Sequence, residues 1–255
     1  MRKAAMRICV MVCGRIPETL RDVMPDYLQS FRALLAPQLP EAEFCGYSVI
    51  DGEFPRSVTE HDVYIFSGSP HGVYEDLAWI RQAEDFVRAA AAADRVVIGG
   101  CFGHQLVAKA LGGEVRKSER GWGMGVHAHG LTAREPWMAG GPDAVNVLVS
   151  HQDQVVRPPE GAVVLASSDF CPNAMLRIGD RILTMQGHPE MNVPTVDRLL
   201  EMRRGSVGEA VYASGKDSLD TPLDHGAMAR WLADFIRLAL DARAPVSAAA
   251  RAGAA

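Results

Sequence analysis

One seven-residue stretch limits the choice of fold more than any other. Gly99-Gly100-Cys101-Phe102-Gly103-His104-Gln105 follows an apolar run, Val96-Val97-Ile98, and leads into a helix-like segment at 105–111. The pattern reads as a strand that turns sharply into a helix with a cysteine at the corner. Gly99 and Gly103 are expected to permit the tight path, because glycine takes unusual backbone angles without steric cost. At the start of a helix, the partial positive charge of the N-terminus favours thiolate over thiol. Cys101 is therefore a candidate nucleophile, and a nucleophile of this kind needs a base.

The candidate base lies far along the chain, in Gln186-Gly187-His188-Pro189-Glu190. Pro189 biases His188 away from the helical region and fixes its own φ. In an extended stretch His188 and Glu190 project to the same side, about 7 Å apart along the backbone. The carboxylate can then hold one imidazole nitrogen while the other takes the proton of Cys101. Nucleophile, base and orienter make up a triad.

Composition narrows the alternatives. The chain has 255 residues, 48% hydrophobic and 22% charged, which is ordinary for a globular protein. A net charge of −5 without a basic cluster argues against a nucleic-acid partner. Arg116-Lys117 and Arg203-Arg204 read as short solvated pairs. No apolar run reaches membrane-span length. The basic start at Met1-Arg2-Lys3 lacks a long apolar core and cleavage site, so a signal peptide is not expected. Five cysteines, at 9, 13, 45, 101 and 171, are odd in number and sparse, which fits a reducing, cytoplasmic setting. Cys9 and Cys13 fall in a buried-strand pattern, and a zinc reading would need two further ligands nearby. They are read as core cysteines.

Apolar runs alternate with helical spacing. Strands are expected at 6–12, 44–50, 63–66 and 95–98, with helices at 19–35, broken only by Pro25 near its start, and at 75–93. Leu77, Ile80, Ala83, Phe86, Val87 and Ala90 share one face of the second helix. This βα alternation predicts a parallel sheet covered by helices, with the ligand crevice at the carboxyl ends of the strands. Cys101 and Ser67-Gly68-Ser69-Pro70 both fall at such ends. Short strands at 126–131, 145–150, 163–167, 174–178 and 181–185 read as an antiparallel extension that returns to the main sheet before His188, with Gly179-Asp180 as a two-residue hairpin turn. Helices at 194–204 and 223–242 follow. One domain over 6–242 is expected, with a disordered alanine-rich tail at 243–255.

The pattern G-x-C-x-G-x-Q at Gly99–Gln105, with His188-Pro189-Glu190 ~85 residues further on, resembles class I glutamine amidotransferases. Ser67-Gly68-Ser69-Pro70 looks like their oxyanion loop, and Ser150-His151-Gln152-Asp153 looks like the segment that holds the amino-acid end of glutamine. The resemblance spans about residues 6–240. It is closest to stand-alone proteins similar to the amidotransferase domain of GMP synthase, plant γ-glutamyl peptidases among them. It implies a flavodoxin-like three-layer α/β sandwich whose central sheet is mostly parallel. It implies hydrolysis of the γ-glutamyl amide of glutamine or a γ-glutamyl compound through a thioester on Cys101, with His188 and Glu190 completing the triad. Backbone N–H groups of Ser69 and Phe102 would form the oxyanion hole. Gly68, Gln105, Ser150, His151, Gln152 and Asp153 would bind substrate, with no cofactor or metal. Relatives often carry Gly-Gly where this chain has Gly68-Ser69, which requires that Ser69 not adopt a glycine-only angle. They usually carry a branched apolar residue where this chain has Gly100.

Other readings stand beside this one. The chain carries no ATP-binding domain of its own, so a glutaminase role would require a separate ammonia-accepting synthetase. A redox-sensing or stress-response protein also sets a cysteine on an elbow, but needs neither Gln105, nor the 150–153 segment, nor the His-Pro-Glu order. His104 is expected to point along its helix rather than act as the base, and His151 to line the pocket or order a loop. His127 and His129 alternate on a strand without a third ligand in register and read as surface or pocket lining. Gly121-Trp122-Gly123-Met124-Gly125 reads as a cleft wall. Tyr74 and Glu75 either shape the pocket or start the next helix.

Overall fold

A computed structural model describes residues 5–242; the tail expected at 243–255 lies outside them. In chain order the first half contains β1 (Met6–Val12), α1 (Tyr27–Leu35), β2 (Ala42–Ser48), β3 (Val63–Phe66), α2 (Ala78–Ala92), β4 (Val96–Gly100) and α3 (Phe102–Ala110). The middle contains β5 (Glu114–Lys117), β6 (Gly123–Leu131), β7 (Ala144–His151), β8 (Asp153–Arg157), β9 (Ala162–Ser167), β10 (Met175–Ile178) and β11 (Ile182–Met185). Three helices close the chain: α4 (Val193–Val207), α5 (Glu209–Ser218) and α6 (His225–Asp241).

Nine strands form one sheet in the order β2-β1-β3-β4-β11-β10-β9-β6-β7. The first five are mutually parallel, and β10, β9, β6 and β7 continue antiparallel. The period-two alternation of strand side chains divides the core. From β1, Ile8 and Val10 pack with α1 and α6, through Phe31, Leu35, Trp231 and Phe235. Cys9 and Met11 face the other way, toward Ile80 and Val87 of α2 and Leu106 of α3. Helices on both faces of a mostly parallel sheet make a flavodoxin-like three-layer sandwich. The order β4-β11 brings the strand before Cys101 and the strand before His188 side by side, with Gly100 opposite Met185.

Several sequence expectations shift. Residues 19–35 do not form one helix. A 3-10 turn at Glu18–Leu20 is followed by α1 only from Tyr27, where Asp26 caps the helix by accepting the Gln29 N–H at 2.6 Å. Pro25 explains the break, since the residue before a proline is disfavoured in the helical region. The strand expected at 44–50 runs from Ala42 to Ser48 and yields to a 3-10 turn at Val49–Asp51. The hairpin loop between β10 and β11 holds three residues, because Ile178 pairs with Ile182; Gly179 takes the positive φ of 56°. Strands β5 and β8, paired with each other, and helix α5 were not legible. Glu114, Arg116, Lys117, Asp153, Gln154 and Arg157 hide the apolar alternation of the strands. Gly215 and flanking serines weaken the helical signal in α5.

Candidate active site

Cys101 is the strained point of the elbow. It precedes α3 with φ 49° and ψ −104°, a conformation that L side chains rarely adopt. Holding a non-glycine residue there costs on the order of 1–3 kcal/mol, which the packed surroundings must offset. Gly99 and Gly103 are needed for a different reason from the one expected. Neither has a positive φ. A Cβ on Gly99 would lie 2.6 Å from the Gly103 carbonyl oxygen, and one on Gly103 would lie 2.2 Å from the Phe66 carbonyl oxygen. The two glycines let α3 press against β3 and β4, and the cysteine itself carries the unusual angle. At Gly100 the nearest atom to an added Cβ is Phe31 Cζ at 3.5 Å, so there is room for the side chain that relatives carry. Ser69 does not adopt a positive φ, which removes the objection to serine at that position.

His188 and Glu190 meet across a turn, not along an extended strand. The Met191 N–H donates to the His188 carbonyl at 3.3 Å, with Pro189 at the second position, where its fixed φ suits a β-turn. The turn brings His188 Nδ1 to 2.7 Å from Glu190 Oε1 in a buried environment. Cys101 lies close enough to act electrostatically on the same imidazole. Burial disfavours a charged imidazole, but Cys101 and Glu190 together outweigh it and raise the His188 pKa above its ordinary value. The loop at 67–70 lies against this pair. Ser67 accepts the Cys13 N–H on its hydroxyl at 2.9 Å and the Gly103 N–H on its carbonyl at 3.2 Å. A Cβ on Gly68 would lie 3.0 Å from His188 Cε1. Among the described residues, no backbone carbonyl engages the Ser69 or Phe102 N–H.

The remaining expected site residues converge, with altered tasks. Gln105 borders the cleft, but its amide nitrogen donates to the Asp153 carbonyl at 2.8 Å and to Gln186 Oε1 at 3.0 Å. It ties the elbow helix to the 150–153 segment. His151 is buried, with Nδ1 3.1 Å from the Asp153 carbonyl, and Gln152 donates to the Ser118 carbonyl at 3.4 Å. Tyr74 donates its hydroxyl to Asp153 Oδ1 at 3.1 Å, and Glu75 accepts the Gly72 N–H at 2.6 Å, so both shape the loop. Trp122 borders the cleft as expected. His104 points away, 2.8 Å from the Thr184 hydroxyl. His129 is buried against Ser168 at 3.1 Å, and His127 packs edge-on against Phe170, so neither reads as plain surface.

Cys101 lies between two cavities. One, of about 190 Å³, is bordered by polar groups including His71, Gln105, His151, Gln152 and Asp153. The other, of about 130 Å³, is bordered by Ile16, Leu20, Met24, Met191, Leu199 and Met202. Ser69, Ser150 and Arg203 border both. Arg203 corrects its reading as solvated surface. It is half-buried, donates to the Ser150 hydroxyl at 2.9 Å and lies over the Trp122 ring at 4.7 Å. The available signal was helical spacing: Val196, Leu199, Leu200 and Arg203 share the inward face of α4, and Arg204 does not.

The profile of the family "Glutamine amidotransferase class-I" matches residues 23–201. The chain belongs to this family. Gamma-glutamyl peptidase 3 of Arabidopsis thaliana is 33% identical over 169 residues, spanning 62% of this chain and 68% of that protein. A GMP synthase (glutamine-hydrolyzing) subunit from Sulfolobus acidocaldarius is 35% identical over 137 residues, 53% of this chain and 71% of that protein. A glutamine amidotransferase structure from Thermotoga maritima superposes with a TM-score of 0.69 at 18% identity, covering 91% of this chain and 98% of that one. At that identity the likeness speaks to fold. The residues of this amidotransferase-family chain carry the chemical argument.

Proposed function

We propose that the protein hydrolyses the γ-glutamyl amide bond of a γ-glutamyl compound, with Cys101, His188 and Glu190 as its catalytic triad. The observation that carries this reading is the placement of Cys101 between a polar and an apolar cavity, beside an imidazole held by a buried carboxylate. In the polar cavity the glutamyl end meets the 150–153 segment and the loop at 68–75. The leaving amine enters the apolar cavity. Free glutamine, whose leaving group is ammonia, would leave that second space unused. This favours a γ-glutamyl peptide or amide over a role as a glutaminase serving a separate synthetase.

In the proposed reaction Cys101 passes its proton to His188, its sulfur adds to the γ-carbonyl carbon, and the charge moves to the carbonyl oxygen. The Ser69 and Phe102 N–H groups meet it; one such donor supplies roughly 3–4 kcal/mol of transition-state stabilisation. His188, held protonated beside Cys101 and Glu190, gives its proton to the departing nitrogen as the C–N bond breaks. A glutamyl thioester remains. Water then adds to the thioester carbon while His188 takes its proton, and the C–S bond breaks to give glutamate and the free cysteine. Glu190 keeps the ring oriented throughout, through the 2.7 Å contact at Nδ1. Arg203 has no carboxylate partner among the described residues, and it faces the shared border of both cavities. A substrate carboxylate suits it.

The test is a substrate panel of glutamine, γ-glutamyl dipeptides and γ-glutamyl alkylamides, with Cys101→Ala as control. Faster turnover of dipeptides than of glutamine, and a glutamyl adduct on Cys101 by mass spectrometry, are expected. Exclusive turnover of glutamine would transfer the reading to ammonia supply. No adduct with any member would leave the elbow cysteine to redox chemistry.

A further inference from the structure

Far from the elbow, two other cysteines face each other. Cys9 of β1 pairs in register with Cys45 of the edge strand β2, which sets their side chains on the same face of the sheet. His61, in the turn before β3, reaches the same place. Cys45 Sγ lies 3.7 Å from both ring nitrogens of His61. One ligand atom from each of the three residues falls within 4.8 Å of the others. Cys9 is fully buried, whereas Cys45 and His61 are partly open to solvent.

We propose that Cys9, Cys45 and His61 form a binding site for a thiophilic divalent cation of the zinc type, separate from the catalytic centre. The donor set is the argument. Two sulfurs and one imidazole match structural and open zinc sites, and soft donors reject magnesium and calcium. Bonds of about 2.0–2.3 Å in tetrahedral geometry place ligand atoms roughly 3.5–4 Å apart, so the observed cluster needs only a small contraction and a turn of the ring. His61 is held edge-on by Tyr47 and Tyr64, with centroids at 6.1 and 5.8 Å. Glu60 accepts from the Tyr47 hydroxyl at 3.5 Å, and its carboxylate lies outside the three-residue cluster. On binding, each thiol releases its proton to solvent and its sulfur forms a bond to the ion. Cys13 serves as the contrast. It lies just beyond the same strand, but its sulfur donates to the Met11 carbonyl at 3.3 Å and takes no part in the cluster. The bound ion would fasten the edge strand to β1 and to the turn before β3.

The test uses the full chain with Cys101→Ala, which removes the other reactive thiol, after reduction and chelator treatment. Titration with cobalt(II) should give one equivalent bound and a thiolate-to-metal charge-transfer band that zinc abolishes by displacement. Cys45→Ser or His61→Ala in the same background should weaken binding by at least about tenfold. A second readout needs no ligand variant: zinc should slow alkylation of Cys45 in the Cys101→Ala protein, mapped by mass spectrometry, and leave Cys171 unaffected. Absence of the band, persistence of the band in Cys45→Ser, or alkylation of Cys45 at the same rate with and without zinc would each overturn the proposal.

Discussion

The guanidinium of Arg203 and the hydroxyl of Ser150 meet at 2.9 Å, joining α4 to the strand end that borders both cavities. The contact places a cation within the cleft and keeps its far face on Trp122. Arg203→Ala is expected to raise KM for substrates whose leaving amine bears a carboxylate by roughly 10–100-fold, with kcat changed less, as follows from loss of a charge-assisted contact worth ~1.5–3 kcal/mol. Arg203→Lys should recover only part of it, since an ammonium lacks the planar fork. Steady-state kinetics on a γ-glutamyl dipeptide and on a γ-glutamyl alkylamide checks this. Equal losses on both substrates would exclude a contact to the leaving group's carboxylate.

The glycines of the elbow should differ sharply in tolerance. Gly103→Ala sets a Cβ against the Phe66 carbonyl oxygen, and fixed backbone cannot yield cheaply. A loss of roughly 1–3 kcal/mol or outright misfolding is expected. Gly100→Ala, one residue before the cysteine, should change stability by no more than about 0.5 kcal/mol. Urea unfolding of the two variants beside the parent gives the comparison. Similar losses in both would refute the close-approach account.

The residues of the proposed triad should separate by role. Cys101→Ala and His188→Asn are expected to remove turnover of γ-glutamyl substrates while leaving the fold intact. Glu190→Gln keeps a hydrogen-bond acceptor near Nδ1 and should retain more residual activity, with kcat lowered by ~10²–10⁴-fold, a range spanning loss of general acid–base assistance. Single-turnover assays that follow amine release report the difference. Full activity of Cys101→Ala would dismiss the thioester route.

Acid should unfold the protein partly through buried imidazoles. Burial pushes the pKa of His104 and of His151 down to about 3. In the unfolded chain each titrates near the ordinary value of about 6.5. Between those limits the unfolded state binds more protons. The stability gained by burying neutral rings is therefore complete above about pH 6.5 and is lost progressively as pH falls toward 3. His188, whose pKa is raised, acts with the opposite sign: its contribution is full below the ordinary imidazole range and fades as pH rises through its elevated value. Thermal unfolding should show Tm dropping between about pH 6 and pH 4. His104→Gln should lose less Tm over that interval than the parent. An unchanged acid limb would assign the sensitivity to other groups.

The local signals in the sequence were strong where period and punctuation agreed. The apolar run at 96–98, the glycines around Cys101 and the spacing of Ile80, Ala83, Phe86 and Val87 made the parallel half of the sheet and its helices readable. The convergence of Cys101 and the loop at 67–70 was readable as well, because parallel strands end on one side; His188 was singled out by its His-Pro-Glu motif, and the parallel pairing of its strand with β4 came only with the fold. Less visible was anything that depended on tertiary company. Strands β5 and β8 stabilise each other but show few apolar positions separately. Arg203 looked like surface because its charge outweighed its place on an inward helix face. Cys9 and Cys45 stand 36 residues apart, and only strand register makes them neighbours. The purpose of Gly99 and Gly103 was read as torsional freedom when the actual demand is space.

The backbone of Cys101 has a wider consequence. A residue at φ 49° and ψ −104° sits in a conformation that glycine would occupy with ease. Cys101→Gly should therefore raise the unfolding free energy, by about 1 kcal/mol or more, even as the proposed nucleophile disappears. If denaturant midpoints bear this out, the sturdiest version of this fold is an inert one. Selection for robustness alone would then erode the elbow, and only continued demand for its chemistry would keep a cysteine there.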